Sequence, residues 1–349
     1  MGVDLGDILP RKKTSLEELS GRVVAVDTYN ALYQFLAIIR GRTGEPLMDS
    51  QGRVTSHLSG LLYRTSNLVE RGIKPVYVFD GEPPELKEVE IKRRRKVKEE
   101  ALVKYEAALS EGRVEEAKRY AQMTSQLKDG MVEDGKRLLT LMGIPVVQAP
   151  SEGECQAAYM ATRGDVWAVA SQDHDSLLFG APRLLRNMTI TGRRKLPRRD
   201  TYVEVGPEVI ELDQVLGELK ISREQLVDLG ILVGTDFNPD GVKGVGPKTA
   251  LKMLREHGTL EKVIPHLKEA EFLVEPSSIR EIFLKPKVTS EYKIEWGKPD
   301  VNGVVQFLCE ERDFSEERVR NALEKMTSPI EGDKGKRTLE SFFEPRVLQ

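Results

Sequence analysis

The sequence predicts an α/β fold, with a mostly parallel central sheet and helices on both faces. Two observations carry this. Four short β-branched runs, 22–27 (RVVAVD), 74–80 (KPVYVFD), 144–148 (IPVVQ) and 166–172 (VWAVASQ), each end in a polar residue. Helical patterns such as 31–40 and 56–70 lie between them. Near-continuous hydrophobic strands that alternate with helices belong to parallel sheets covered on both sides. Further strands are expected at 184–190 and 201–205. The region 212–326 reads as mostly helical, with breaks at 236–246, 275–278 and 296–303. After about residue 326 the apolar periodicity is lost, and 327–349 reads as a flexible tail.

Composition narrows the class. The 349 residues carry 53 Lys+Arg against 56 Asp+Glu, a net charge of −3, with 39% hydrophobic and 31% charged residues. That is enough apolar material for a sizeable core. Cys155 and Cys309 are the only cysteines, too few for a disulfide framework or a Cys-based zinc site, so a reducing compartment is expected. No run of about 18 apolar residues suggests a membrane span. The N-terminal MGVDLGDILPRKK lacks a signal-peptide core, and Gly6 stands where a myristoylation motif wants Ser or Thr. A soluble, cytoplasmic protein is expected. The near-zero net charge does not exclude nucleic acid, because the distribution of charge matters more than its sum.

The acids are distributed by the strands. Asp27 and Asp80 each close a strand run, Asp173 and Asp175 follow the fourth run, and Glu152 and Glu154 follow the third. Asp236 lies in the loop GTDFNPDG after an apolar helix. In an open parallel sheet the strand C-termini face one crevice, so these acids are expected to converge there. Crowded carboxylates take up protons unless cations neutralise them. Hard oxygen donors without a Cys or His cluster favour Mg²⁺ or Mn²⁺ over zinc. Two such ions about 4 Å apart are the usual arrangement for in-line phosphodiester hydrolysis. A blander reading stands beside this one: acids at strand ends are also turn and cap residues, and Ser151-Glu-Gly-Glu154 fits a capping box with Ser151 as N-cap.

Downstream of Asp80, Pro83-Pro84 suits the start of a helix. Between Glu85 and Lys104 there are eight basic residues (Lys87, Lys92, Arg93, Arg94, Arg95, Lys96, Lys98, Lys104) against five Glu. Neutralisation of phosphate is the functional reading, and a solvated helix laced with i,i+4 pairs is the alternative. Lys87 and Arg94 are seven apart, about two turns, so both can point from one face at the acidic crevice, where a cation stabilises charge on a scissile phosphate. The segment 241–251 (GVKGVGPKTAL) sets Gly244 and Gly246 before a helix start at Pro247, with Lys243 and Lys248 beside them. Pro247 stands where a P-loop needs Lys, so an NTPase reading fails, whereas backbone N–H groups there suit a duplex phosphate. Arg193, Arg194, Lys195, Arg198 and Arg199 read as a solvated loop first and a DNA contact second.

These motifs carry a family resemblance. VAVDTYNALYQFL, VYVFDGEPPELK, APSEGECQAAY, ASQDHDSLLFG, LGILVGTDFNPDGVKGVGPKTAL and FSEERV, in this order, resemble the archaeal and eukaryotic flap endonucleases. These are structure-specific 5′ nucleases related to the xeroderma pigmentosum group G nuclease. The resemblance implies one nuclease domain over 1–326: an N-terminal region of about 1–105, a helical arch of about 84–135, an internal region of about 136–265, and C-terminal helices with a helix–two-turn–helix. It implies metal ligands, direct or through water, at Asp27, Asp80, Glu152, Glu154, Asp173, Asp175 and Asp236. Lys87 and Arg94 are implied as the catalytic cations at the base of the arch. Tyr33 matches an aromatic that stacks on the template or scissile base, Gly2 a glycine near the active site, and Arg93 a DNA contact. The 241–248 hairpin, with Lys243, Gly244, Gly246 and Lys248, is similar to an element that grips duplex with a K⁺ ion on its carbonyls. FSEERV is similar to a region that supports recognition of a one-nucleotide 3′ flap.

The tail TLESFFEP is similar to a sliding-clamp (PCNA) docking peptide, with Leu339, Phe342 and Phe343 as anchors and Lys336 where Gln is usual. The resemblance further implies a monomer, an archaeal source and association with the nucleoid during replication. Its expected substrates are flap, nicked and gapped DNA. A relative that prefers bubbles or four-way junctions, and a non-catalytic clamp-bound DNA adaptor, are the rival readings. The second requires a degenerate acid set, whereas all seven acids are intact.

Overall fold

The β-branched runs fold as strands and the amphipathic stretches between them as helices. A computed structural model describes residues 2–327 apart from 43, 125, 190–191, 196–201, 268–271 and 273, with 129, 192–195 and 202–204 described by backbone alone. The chain opens with the edge strand β1 (Lys12–Lys13), then β2 (Val23–Asp27), α1 (Thr28–Ile38), α2 (Ser56–Glu70) and β3 (Lys74–Phe79). A 3₁₀ turn, Glu85–Lys87, leads into the long helix α3 (Glu88–Ser110), which pairs with α4 (Val114–Met123). The chain returns through α5 (Asp129–Leu141) to β4 (Val146–Gln148). Next come α6 (Gly153–Thr162), β5 (Ala168–Ala170), α7 (Asp175–Leu178) and β6 (Arg183–Arg186). β7 (Gly192–Lys195) and β8 (Tyr202–Val205) form a separate hairpin before β9 (Glu208–Glu211). The rest is helical: α8 (Leu212–Leu219), α9 (Arg223–Val233), α10 (Pro247–His257), α11 (Leu260–Val263), α12 (Pro276–Leu284), α13 (Val301–Val305) and α14 (Glu316–Thr327).

The main sheet has the order β1-β9-β6-β5-β2-β3-β4. Five strands, β6 to β4 in that order, are parallel, and β9 and β1 extend the sheet beyond β6 through antiparallel pairings. Alternate residues of each strand enter opposite cores. Val24, Val26, Tyr77 and Phe79 pack with α1, α2, α5 and α14, while Ala25, Val76 and Val78 pack with α6 to α10. Both faces are covered, which is why the strands read as unbroken hydrophobic runs. The order of strand addition reverses between β2, which leads on to β3, and β5, which leads the other way to β6. Their C-terminal ends therefore open the crevice typical of such a switch point.

Three expectations are corrected. The strand expected at 184–190 stops at Arg186, because Asn187 takes a left-handed backbone (φ +59) that turns the chain. Of the strand expected at 201–205, the described residues 202–205 do form one, but it pairs with β7 outside the main sheet, so Arg193, Arg194 and Lys195 lie in a hairpin strand rather than a loop. The expected break at 275–278 is instead a helix start, with Pro276 in the first turn of α12. A longer interruption runs over 285–300, overlapping the break expected at 296–303 and held by Trp296 Nε1 donating to Pro75 O (3.0 Å) and Gly297 N to Gly143 O (2.8 Å). Among the described residues no helix is long and apolar enough to cross a membrane.

In α3 only Ala101 and Ala108 are buried, and in α4 only Ala117 and Ala121. Small side chains let paired helices approach closely.

His57, on α2, is fully buried, and neither ring nitrogen has a hydrogen-bond partner. Burial pushes its pKa down to about 4; Arg312 pushes the same way, while Asp134 opposes. The folded state therefore holds the neutral ring. The stability this gives is complete above the unfolded pKa of about 6.5 and is lost as pH falls towards 4, a change of about 3 kcal/mol. Urea unfolding of the wild type and of His57→Leu should show the wild type losing that much more stability between pH 7 and pH 4.

Candidate active site

The crevice collects acids from five places in the chain. Asp27 ends β2 and caps α1: its Oδ1 accepts from Asn30 N (3.1 Å) and its Oδ2 from Ser171 Oγ (3.2 Å). Asp80 follows β3, and its Oδ1 accepts from Gly153 N at the first residue of α6 (2.6 Å). Asp173 lies in the turn after β5, where its Oδ2 accepts from Asn30 Nδ2 (3.2 Å). Asp175 opens α7 and accepts from Val3 N (2.6 Å). Asp236 sits in the loop after α9.

The capping-box expectation fails. Helix α6 starts at Gly153, with Glu152 rather than Ser151 as N-cap and no side-chain cap. Ser151 Oγ instead donates to Glu82 O (3.1 Å). Glu154 is drawn away from the helix terminus to accept from Ser176 N (3.0 Å) and Ser176 Oγ (2.5 Å). Tertiary partners thus outcompete the local cap and leave both glutamates to the crevice.

Burial and mutual repulsion shape the electrostatics. Burial, then the charges of Asp80 and Asp173, push Asp27 up to about 7. Burial raises Asp80 to about 6, with Glu152 and Asp236 adding to the rise while the Gly153 N–H and Lys87 oppose it. Burial, then Asp236 and Asp173, raise Asp175 to about 8. Glu154 is raised by burial and by Asp175, Asp27 and Asp173. All seven sequence-identified acids therefore share one electrostatic field, the condition in which carboxylates recruit cations.

Two cations come from the protein itself. Lys87 ends the 3₁₀ turn and pairs with Glu152 and with Asp236 (3.1 Å to Oδ2). Arg94, two turns on, pairs with Asp236. Burial works against the charge on Lys87, but Glu152, Asp236 and Asp80 outweigh it and hold the ammonium protonated. Arg94 is likewise raised against burial by Asp236 and Glu90. Glu90 accepts from Arg94 Nε at 2.7 Å, an i,i+4 contact that braces the guanidinium.

The donor chemistry fits hard divalent cations. The nearby Cys155 is pushed up to about 12 by burial and by Glu152 and Asp80, so it stays a thiol. The ring of His174 is turned to Val3 O (3.1 Å). With Lys87 and Arg94 drawn in among them, no three acids, His or Cys among the described residues are gathered tightly enough to clasp an ion as they stand.

Other expected residues lie around this centre. Tyr33 on α1 is 37% exposed, and Lys98 Nζ stands 4.4 Å from its ring centroid. Arg93 pairs with Asp240 (3.1 Å). Gly244 (φ +80) and Gly246, the N-cap of α10, form a surface turn with exposed Lys243 and Lys248. Within FSEERV, Phe314 packs on the core and Val319 is fully buried. Lys336, Leu339, Phe342 and Phe343 lie outside the described residues.

Sequence reasoning missed several neighbours. Asn30, Ser171 and Ser176 each hydrogen-bond an acid of the crevice, and their only sequence signal is adjacency to it. Two glycines lie tightly against the acids. A Cβ on Gly2 would run into the Asp175 carboxylate, and one on Gly153 would meet Asp80 Oδ1 at 2.8 Å and the backbone Val78 O at 3.0 Å. Gly153→Ala must displace Asp80 or the start of α6, and misplacement of this size costs on the order of 10- to 100-fold in rate. Single-turnover cleavage alongside a melting curve checks this: the rate should fall far more than the melting temperature.

Comparison with known proteins points to one family. Residues 1–101 match the XPG N-terminal domain and residues 143–236 the XPG I-region. Flap endonuclease 1 of Pyrococcus horikoshii is 56% identical over 343 residues, covering 98% of each chain. Flap endonuclease 1 of Hyperthermus butylicus is 60% identical over 329 residues, covering 93% of this chain and 94% of the relative. The solved flap endonuclease-1 from Methanococcus jannaschii superposes with a TM-score of 0.74 at 46% identity, covering 93% of this chain and 98% of that one.

Proposed function

The chain belongs to the archaeal flap endonucleases of the XPG nuclease family, and from that membership we propose that it cuts DNA where a 5′ single-stranded flap meets duplex. It also degrades nicked or gapped duplex 5′→3′, in the maturation of Okazaki fragments and in repair. The observation that carries this is the seven-acid crevice at the sheet's switch point with Lys87 and Arg94 inserted into it.

Asp80, Glu152 and Glu154 would hold one Mg²⁺, with Asp27 behind them. Asp173 and Asp175 would hold a second, supported by Asp236 through water, and Mn²⁺ substitutes for either. When bound, the ions supply Lewis-acid polarisation and neutralise charge at the phosphate. Lys87 and Arg94, released from Glu152 and Asp236, turn to the scissile phosphate and stabilise the charge that builds on it. Helices α3 and α4 form the arch that admits the flap, and Tyr33 offers its ring to a base. Gly2 keeps the Asp175 side of the crevice narrow, and Arg93 meets the strand entering the arch.

The turn with Lys243, Gly244, Gly246 and Lys248 holds duplex backbone, with K⁺ on its carbonyls. The segment around Phe314 supports recognition of a 3′ flap. The 327–349 tail, through Lys336, Leu339, Phe342 and Phe343, docks the sliding clamp. The enzyme works as a monomer in the cytoplasm, at the nucleoid.

Side-by-side cleavage of flap, bubble and four-way-junction DNA in Mg²⁺ tests the substrate. Preferred incision of the flap at its junction supports the proposal, and preferred cutting of bubbles or junctions would overturn it.

A further inference from the structure

We infer that Asn30 is a positioning residue for Asp173: its amide, itself locked by Gln34 and Thr189, aims one carboxylate oxygen and so sets how tightly the crevice holds a divalent cation. The inference rests on the assignment of Asp173 as a cation ligand proposed above.

The orientation of the amide is determined by its neighbours. Gln172 N–H (3.3 Å) and Gln34 Nε2 (2.6 Å) both donate to Asn30 Oδ1. Two donors converging on one atom require it to be the oxygen, which leaves the NH₂ group facing Asp173 Oδ2 at 3.2 Å. Gln34 is fixed in turn, because the Asn30 oxygen takes a donor from it, which sets Gln34 Nε2 towards Asn30 and leaves Gln34 Oε1 to accept from Thr189 Oγ1 (3.0 Å). The chain Thr189→Gln34→Asn30→Asp173 runs donor to acceptor in one direction, so each link polarises the next. It ties α1 to the turns after β5 and β6, and Asn30 N also caps onto Asp27. Asn30, Gln34 and Thr189 border a cavity of about 10 Å³, room for a single water, so a displaced amide has little space in which to find another partner.

The relay makes a prediction opposite in sign to simple electrostatics. Gln34→Glu adds a negative charge near the crevice and, acting through space alone, would tighten cation binding. Through the relay it weakens binding. A carboxylate at 34 offers no N–H to Asn30 Oδ1, which favours the flipped amide with its oxygen against Asp173.

The test is Mn²⁺ binding to the full-length protein without DNA, followed by calorimetry and electron paramagnetic resonance, for wild type, Asn30→Ala, Gln34→Glu and Asp173→Ala. Partners of metal ligands usually contribute 10- to 100-fold in affinity. About a tenfold weaker Mn²⁺ affinity is therefore expected for both Asn30→Ala and Gln34→Glu, at unchanged metal-free melting temperature for Gln34→Glu. Should Asn30→Ala fail to fold, Gln34→Glu decides alone. Unchanged or tighter binding in Gln34→Glu, while Asp173→Ala loses an ion, overturns the role of Asn30 and leaves the ligand assignment intact. Unchanged binding in Asp173→Ala itself means that the ligand assignment fails and takes the inference with it.

Discussion

Asp173→Ala is expected to cut the rate of flap incision by about a thousandfold while the protein still binds the flap DNA. The size follows from the chemistry. Positioned divalent charge contributes several kcal/mol to stabilising a phosphoryl transition state, and each 1.36 kcal/mol is tenfold in rate. Binding should survive because the contacts proposed to hold duplex, Lys243 on the turn before α10 and Lys248 in the first turn of α10, belong to another part of the fold. Single-turnover cleavage at saturating protein, with affinity measured in Ca²⁺, separates the two quantities. Full activity with normal binding would falsify the two-ion assignment.

Lys87→Ala should lower the single-turnover rate by about 10²- to 10³-fold, the usual loss when one preorganised charge stabiliser is removed. Arg94→Ala should behave similarly. The double variant should cost less than the product of the two, because both side chains serve the same phosphate and already share Asp236. A second readout separates catalysis from architecture. Lys87 neutralises Glu152 and Asp236 in the free protein, so its removal leaves them more negative and should lower the Mg²⁺ concentration needed for half-maximal rate. A slower enzyme that needs less Mg²⁺ is the expected signature. A slower enzyme that needs more would make Lys87 a structural brace of the site.

The sheet was legible because its strands are buried on both faces and close in acids, so Asp27 and Asp80 marked both the strand ends and the crevice. Lys87 and Arg94 were legible from helical spacing alone, since seven residues are close to two turns. The start of α6 was misread because a local pattern, Ser151 to Glu154, lost to partners distant in sequence: Glu82 for Ser151 and Ser176 for Glu154. The 285–295 part of the interruption was hidden for a similar reason, while its end, 296–300, falls within the break read at 296–303. The segment's conformation is fixed by contacts with Pro75, Leu141 and Gly143 rather than by its own propensity. The relay through Asn30 was invisible in principle, because its links join residues 143 and 155 positions apart. The net charge of −3 concealed a separation that the structure makes plain: acids gathered at the strand C-termini, with Lys87 and Arg94 laid against them.

The carboxylate crevice is proposed to work by holding two divalent ions on DNA. The most direct test is the number of Mn²⁺ ions bound per protein–flap complex, titrated in parallel with incision of the same substrate. Two ions bound, incision that rises with occupancy of the second, and complete loss of cutting in EDTA are the results expected. Incision that persists in EDTA, or that reaches its full rate with a single ion bound, would contradict it.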